Sequence, residues 1–85
     1  MKEFKYVIQD PEGIHARPAG VLVQKAKEFN SNITIFKDEK KADAKKIFNV
    51  MALCCKQGCE ILVNVEGDDE EAAAAAIEEC LKENM

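Results

Sequence analysis

At 85 residues with 47% hydrophobic content, the chain has room for one core and is too apolar to remain unfolded. Twelve basic residues against sixteen acidic ones leave a formal charge of -4, which argues against a general nucleic-acid binder, since that needs a basic excess or stripe. No apolar run is long enough to span a bilayer, and the N-terminus MKEFKYVIQD alternates instead of forming a signal peptide, so one soluble, cytoplasmic domain over residues 1–85 is expected.

In chain order, Phe4, Tyr6 and Ile8 alternate with polar or second-face residues, which is the period of a strand. Asp10-Pro11-Glu12-Gly13 ends it with turn chemistry. From Pro18 onward, Ala19, Leu22, Ala26 and Phe29 recur at spacings of three and four and predict an amphipathic helix, stopped by Asn30-Ser31-Asn32. Ile33 and Ile35 read as a short strand. Lys37 to Lys40 reads as a turn into a weaker strand around Ala42.

Ile47 to Leu53 predicts a short helix closing near Gly58, with Val50 and Leu53 inward and Ile47, Phe48 and Met51 partly outward. Ile61, Val63 and Val65 alternate as a strand that Gly67 ends. Asp68 with Glu71 reads as a capping box opening a last helix, whose Ala73, Ala76, Ile77, Cys80 and Leu81 share one face. The five alanines from Ala72 to Ala76 serve that helix as strong helix formers. The order strand, helix, strand, strand, helix, strand, helix predicts an α+β fold, one mostly antiparallel sheet with helices packed on a single face.

The chemistry concentrates in 13-GIHARPAG-20, which holds the chain's one histidine. On this map His15 falls where a helix N-cap would sit. Pro18 falls in the first turn, where its missing N–H costs nothing. The backbone N–H groups of Ala16 and Arg17 then make an anion site with the positive end of the helix dipole, and the Arg17 guanidinium adds forked donors suited to phosphate or carboxylate. Such a field disfavours the protonated imidazole and stabilises a phosphorylated one. The competing reading is a plain helix cap or surface histidine.

With one histidine, no zinc-protease type site exists, and no metal or cofactor is expected. Four cysteines without a secretory context read as small hydrophobes, not as a disulfide framework. Nothing places one of them beside His15 for acyl transfer.

The run 13-GIHARPAG-20, the segment 45-KKIFNVMALCCKQG-58, the element order and the acidic last helix together resemble HPr, the histidine phosphocarrier family of the bacterial sugar phosphotransferase system. The resemblance extends over essentially the whole chain. It implies an open-faced β-sandwich of order βαββαβα, a four-stranded antiparallel sheet with three helices on one face. It further implies that His15 accepts a phosphoryl group on Nδ1 from phospho-Enzyme I, with Arg17 supporting transfer, and passes it to a histidine of a sugar-specific Enzyme IIA domain. Such a carrier turns over nothing unaided and needs no partner copy, so a monomer is expected.

Gly20 and Gln24 of the first helix, with Ile47, Phe48 and Met51 of the short one, are expected to form the docking face. Lys27 and Lys45 or Lys46 are expected to meet acidic groups on Enzyme I. Two departures from the family stand out. Lys46 occupies the position of the usual regulatory serine, and lysine cannot be phosphorylated, so no serine switch is expected. The segment 54-CCKQGC-59 carries cysteines where small residues are usual. An HPr-like docking module with little phosphotransfer is the alternative, and the retention of His15 and Arg17-Pro18 argues for the carrier.

Overall fold

The computed structural model describes residues 1–11, 16–53 and 56–85. Strands β1 (Lys2–Val7), β2 (Asn32–Lys37), β3 (Lys40–Asp43) and β4 (Glu60–Glu66) form one antiparallel sheet in the order β1-β4-β2-β3. Helices α1 (Ala16–Lys27), α2 (Ile47–Ala52) and α3 (Glu70–Asn84) complete the βαββαβα order as an open-faced sandwich.

Register explains which side chains meet. Phe4 lies opposite Val63, Val63 opposite Ile35, and Ile35 opposite Ala42, so one row crosses all four strands on the face that the helices cover. Because side chains alternate, the next row, Lys5, Leu62, Phe36 and Lys41, falls on the open face. Ile33, Ile35, Ile61, Val63 and Val65 are buried beneath Leu22 of α1, Val50 of α2, and Ile77 and Leu81 of α3. Each such side chain contributes about 1.5–3 kcal/mol by leaving water.

Several boundaries differ from the sequence expectations. Helix α1 starts at Ala16, with Pro18 inside the first turn, and ends at Lys27. Phe29 therefore packs from the loop, half-buried. Its amide and that of Glu28 reach back only three residues, to Ala26 and Lys25, and that tighter turn ends the helix. Asn32 already belongs to β2, and Leu53 is the C-cap of α2. Ala76 is half-buried, less covered than Ala73 and Ile77 beside it. The hairpin joining β2 to β3 turns at Asp38, whose φ of 53° is one that aspartate tolerates better than most residues.

The capping box does not form. The N-cap of α3 is Asp69, not Asp68, and its side chain makes no cap bond to its own helix. Its two carboxylate oxygens accept instead from the loop between α1 and β2. Oδ2 takes the Asn30 amide at 2.9 Å, and Oδ1 takes the Ser31 amide at 2.9 Å and the Ser31 hydroxyl. Glu70 reaches back to the Gly67 amide at 3.3 Å. The pattern of Asp68 and Glu71 thus marks the right helix end but not the cap, which falls on Asp69, a residue spent on a tertiary tie.

The Ser31 hydroxyl, followed by the Asn30 amide, holds the Asp69 carboxyl below its ordinary value. The charged form is therefore favoured by folding. That stabilisation is present above the ordinary aspartate range and is lost as pH falls through the folded-state value. Thermal melts across the acid range should show a shallower pH dependence for Asp69→Asn than for the wild type. A residual slope should persist, because the N-terminal ammonium and the Gly67 amide likewise hold Glu70 low. Superimposable slopes for the two proteins would remove Asp69 from the acid limb.

Candidate functional site

The site is built where α1 begins. Pro18 and Ala19 are buried and seat the first turn on the core, while Ala16 and Arg17 stay exposed. As the first residues of the helix, Ala16 and Arg17 carry N–H groups with no acceptor inside it, and Pro18 has none to satisfy. The turn therefore carries two donors without an acceptor inside the helix, at the positive end of a 12-residue helix. Among the described residues the Arg17 guanidinium forms no ion pair. His15, with Glu12, Gly13 and Ile14, lies outside the described residues, as do Cys54 and Cys55.

Gly20 and Gln24 lie one helical turn apart, and Lys27 continues the row within the next turn, so the three share one side of α1. Gln24 and Lys27 are exposed. Gly20 faces α2: a β-carbon built on it would lie 3.9 Å from Ile47 Cδ1, an ordinary contact distance. The absence of a larger side chain lets the two helices approach there, and it joins Gly20 to Ile47.

Within α2, Val50 is buried, as is Leu53 just after it, while Ile47 and Met51 are half-buried against the core. Phe48 is 81% exposed. It lines an open groove of about 400 Å³ with Lys40 and Lys41 of β3 and with Asn49, Ala52 and Leu53. Phe48 therefore extends the candidate docking face away from the Gly20–Ile47 seam.

The two lysines before α2 have different fates. Lys45 Nζ donates to the Phe29 carbonyl at 2.8 Å, so it ties α2 to the end of α1. Lys46 is exposed and is the N-cap of α2, in extended conformation with φ -122° and ψ 112°. A lysine side chain has no acceptor for the first-turn amides, and no side-chain cap forms. Asp43 steadies the turn from upstream, accepting the Lys45 amide on Oδ1 at 2.9 Å and the Lys46 amide on its carbonyl at 3.0 Å. At the other end, Lys37 Nζ donates to the Leu53 carbonyl at 3.1 Å, a cation where the helix dipole is negative. Neither lysine tie carries a sequence signal, because each joins residues 16 apart through a flexible stem.

Cys80 is buried between α3 and its surroundings, and burial pushes its thiol above the usual range, so it acts as a packing group. Cys59 is half-buried, with its sulfur near the Glu60 carbonyl. Among the described residues no group of three or more histidine, cysteine or carboxylate side chains could hold a metal ion. No described helix is long and apolar enough to cross a membrane.

A four-stranded open-faced sandwich whose first helix starts directly after a histidine and carries arginine at its second position defines a small α+β protein of the phosphocarrier class. The family model described as the phosphorylation site of the PTS HPr component matches residues 2–83. The chain belongs to the HPr family, the histidine phosphocarriers of the sugar phosphotransferase system.

It is 46% identical over 83 residues to the phosphocarrier protein HPr of Lysinibacillus sphaericus, covering 98% of this chain and 94% of that one. It is 44% identical over 81 residues to HPr of Mycoplasma capricolum, covering 95% and 91%. The solved structure of a Mycoplasma histidine-containing phosphocarrier superposes with a TM-score of 0.94 at 43% identity, covering 96% of this chain and 93% of that one.

Proposed function

We propose that the 85 residues act as one phosphocarrier domain that takes a phosphoryl group onto His15 from phospho-Enzyme I and passes it to a histidine of a sugar-specific Enzyme IIA domain. The observation that carries the reading is the family match, which describes a phosphorylation site and spans His15, Arg17 and the helix start. In each half of the relay a phosphorus–nitrogen bond to the donor imidazole breaks as one to the acceptor forms, so the chain ends each cycle unchanged.

Ala16 and Arg17 suit this chemistry. The transferring group spreads negative charge over three oxygens in a loose transition state, so the catalytic contribution is positioning and electrostatics. Backbone donors at the start of α1 supply fixed partial charge, and Arg17 supplies a mobile guanidinium that can follow the group. Their exposure lets both partners reach the site.

Gly20, Gln24, Ile47, Phe48 and Met51 serve as the docking face, and Lys27 and Lys46 steer it toward acidic partner surfaces. With Lys46 at the serine position, the carrier works without phosphoserine control. It requires no cofactor and works as a monomer in the cytoplasm.

The test is a relay. Labelled phosphoenolpyruvate, Enzyme I and an Enzyme IIA domain are mixed with and without this chain, and label on Enzyme IIA is counted. Label should reach Enzyme IIA only when the chain is present, and label arriving without it, or never arriving, contradicts the reading. Phe48→Ala should raise KM for at least one partner about five- to thirtyfold, the range of an aromatic anchor lost from an interface. Because Phe48 is 81% exposed, stability should stay within about 0.5 kcal/mol.

A further inference from the structure

Four residues separate Pro11 from Ala16, so no more than roughly 18 Å of chain joins these two points. The Ala16 end is held by the buried Pro18 and Ala19. The other end is held by a set of bonds that phosphocarrier chemistry does not itself call for. Buried Ile8 donates its amide to the Cys59 carbonyl at 2.9 Å and accepts the Gly58 amide on its own carbonyl at 2.8 Å. The main-chain oxygen of Met85 accepts the amides of Gln9 and Asp10, the latter at 2.8 Å. That leaves the Gln9 carbonyl, and the Gln57 side-chain amide donates to it at 3.2 Å.

The turn that delivers Gln57 is itself built for the job. Cys59 donates its amide to the Lys56 carbonyl at 3.0 Å, and Gly58 takes a φ of 86° that a side chain would resist. Residues 56–59 therefore close a tight loop directly against residues 8–9. Among the described residues, Gln57 is the only side chain in that loop that holds the segment leading from β1 toward His15.

We propose that Gln57 is a positioning residue for phosphoryl transfer: by holding the Gln9 carbonyl it fixes the upstream anchor of the segment that carries His15. The proposal rests on the phosphocarrier reading. Transfer between two imidazoles demands close approach and alignment, and small displacements cost rate far more than they cost stability. An exposed side-chain bond such as this one adds little to folding, so its value would lie in geometry.

Three variants separate the possibilities: Gln57→Ala, Gln57→Glu, which at neutral pH cannot donate, and Gln57→Lys, which can. Phosphoryl transfer from phospho-Enzyme I is resolved into maximal rate and KM, and the His15 ring is titrated by NMR. Alanine and glutamate should lower the maximal rate about three- to tenfold with KM changed less than about twofold. They should also shift the His15 titration, while lysine restores most of both and the melting temperature barely moves.

Wild-type rate and titration in Gln57→Ala would overturn the proposal. So would equal losses in all three variants that track a loss of stability. If the wild-type chain is not phosphorylated at all, it is the phosphocarrier reading that fails, and the His15 titration then decides the anchor alone: a shift in Gln57→Ala supports it, and none overturns it.

Discussion

Gly67→Ala should destabilise the fold by about 2–3 kcal/mol, the combined range of overpacking and backbone strain. A β-carbon at Gly67 would lie 2.6 Å from Ser31 Cα, 2.7 Å from Ser31 Oγ and 3.0 Å from Ser31 Cβ. The nearest of these atoms is backbone, so no rotamer change relieves the contact. Ser31 is fully buried and is tied through its amide and hydroxyl to Asp69, so moving it also disturbs the tie between the α1–β2 loop and the start of α3. The backbone at Gly67, with a φ of 155°, is itself uncommon for residues with side chains.

For a domain of this size the loss corresponds to roughly 10–20 °C in melting temperature. Gly58→Ala is the matched control. Its φ of 86° imposes strain, but nothing lies within 4 Å of the added carbon, so a loss of only about 1 kcal/mol is expected. Equal losses at the two glycines would show that backbone conformation alone, without the Ser31 contact, sets the cost.

Arg17→Ala should slow phosphoryl transfer from phospho-Enzyme I about 100- to 1000-fold, the usual cost of removing one donor that stabilises a transition state. Stability should hardly change, because Arg17 is exposed and the helix start is seated by Pro18 and Ala19. Arg17→Lys should recover only part of the rate, since lysine restores the charge and loses the fork. Stopped-flow or quenched-flow rates with the three proteins check this. A wild-type rate in Arg17→Ala would leave the backbone donors at Ala16 and residue 17 as the whole of the electrostatic support.

Much of this fold is legible because its strands alternate cleanly. Ile61, Val63 and Val65 announce β4, and every one of them is buried. The α1 stripe of Ala19, Leu22 and Ala26 is equally plain, whereas the chemistry of GIHARPAG marks a candidate anion site and leaves a plain helix cap open, and it is the resemblance to HPr that selects the phosphocarrier. The features without a sequence pattern are tertiary. The local helix-start pattern names Asp68, yet the cap falls on Asp69, whose carboxylate is claimed by Asn30 and Ser31, 39 and 38 positions upstream.

Lys45 and Lys46 are chemically alike and adjacent, and only the packing of α2 against the end of α1 sends one to the Phe29 carbonyl and leaves the other exposed. Phe48 is outward as its place in the short helix predicts, while the groove it shares with Lys40 and Lys41 depends on where the β2–β3 hairpin lies. The bonds from Gln57 and Gly58 to residues 8–9 join segments some 50 residues apart, and neither segment carries a pattern that names the other.

The most direct measurement is intact mass after incubation with Enzyme I, magnesium and phosphoenolpyruvate, followed by fragmentation to locate the added group and by brief acid treatment. A phosphocarrier gains one phosphoryl group, carries it on His15, loses it in acid, and gains none as His15→Ala. No gain with Enzyme I from two related bacteria, or a gain that persists in His15→Ala, would contradict phosphoryl transfer through this histidine.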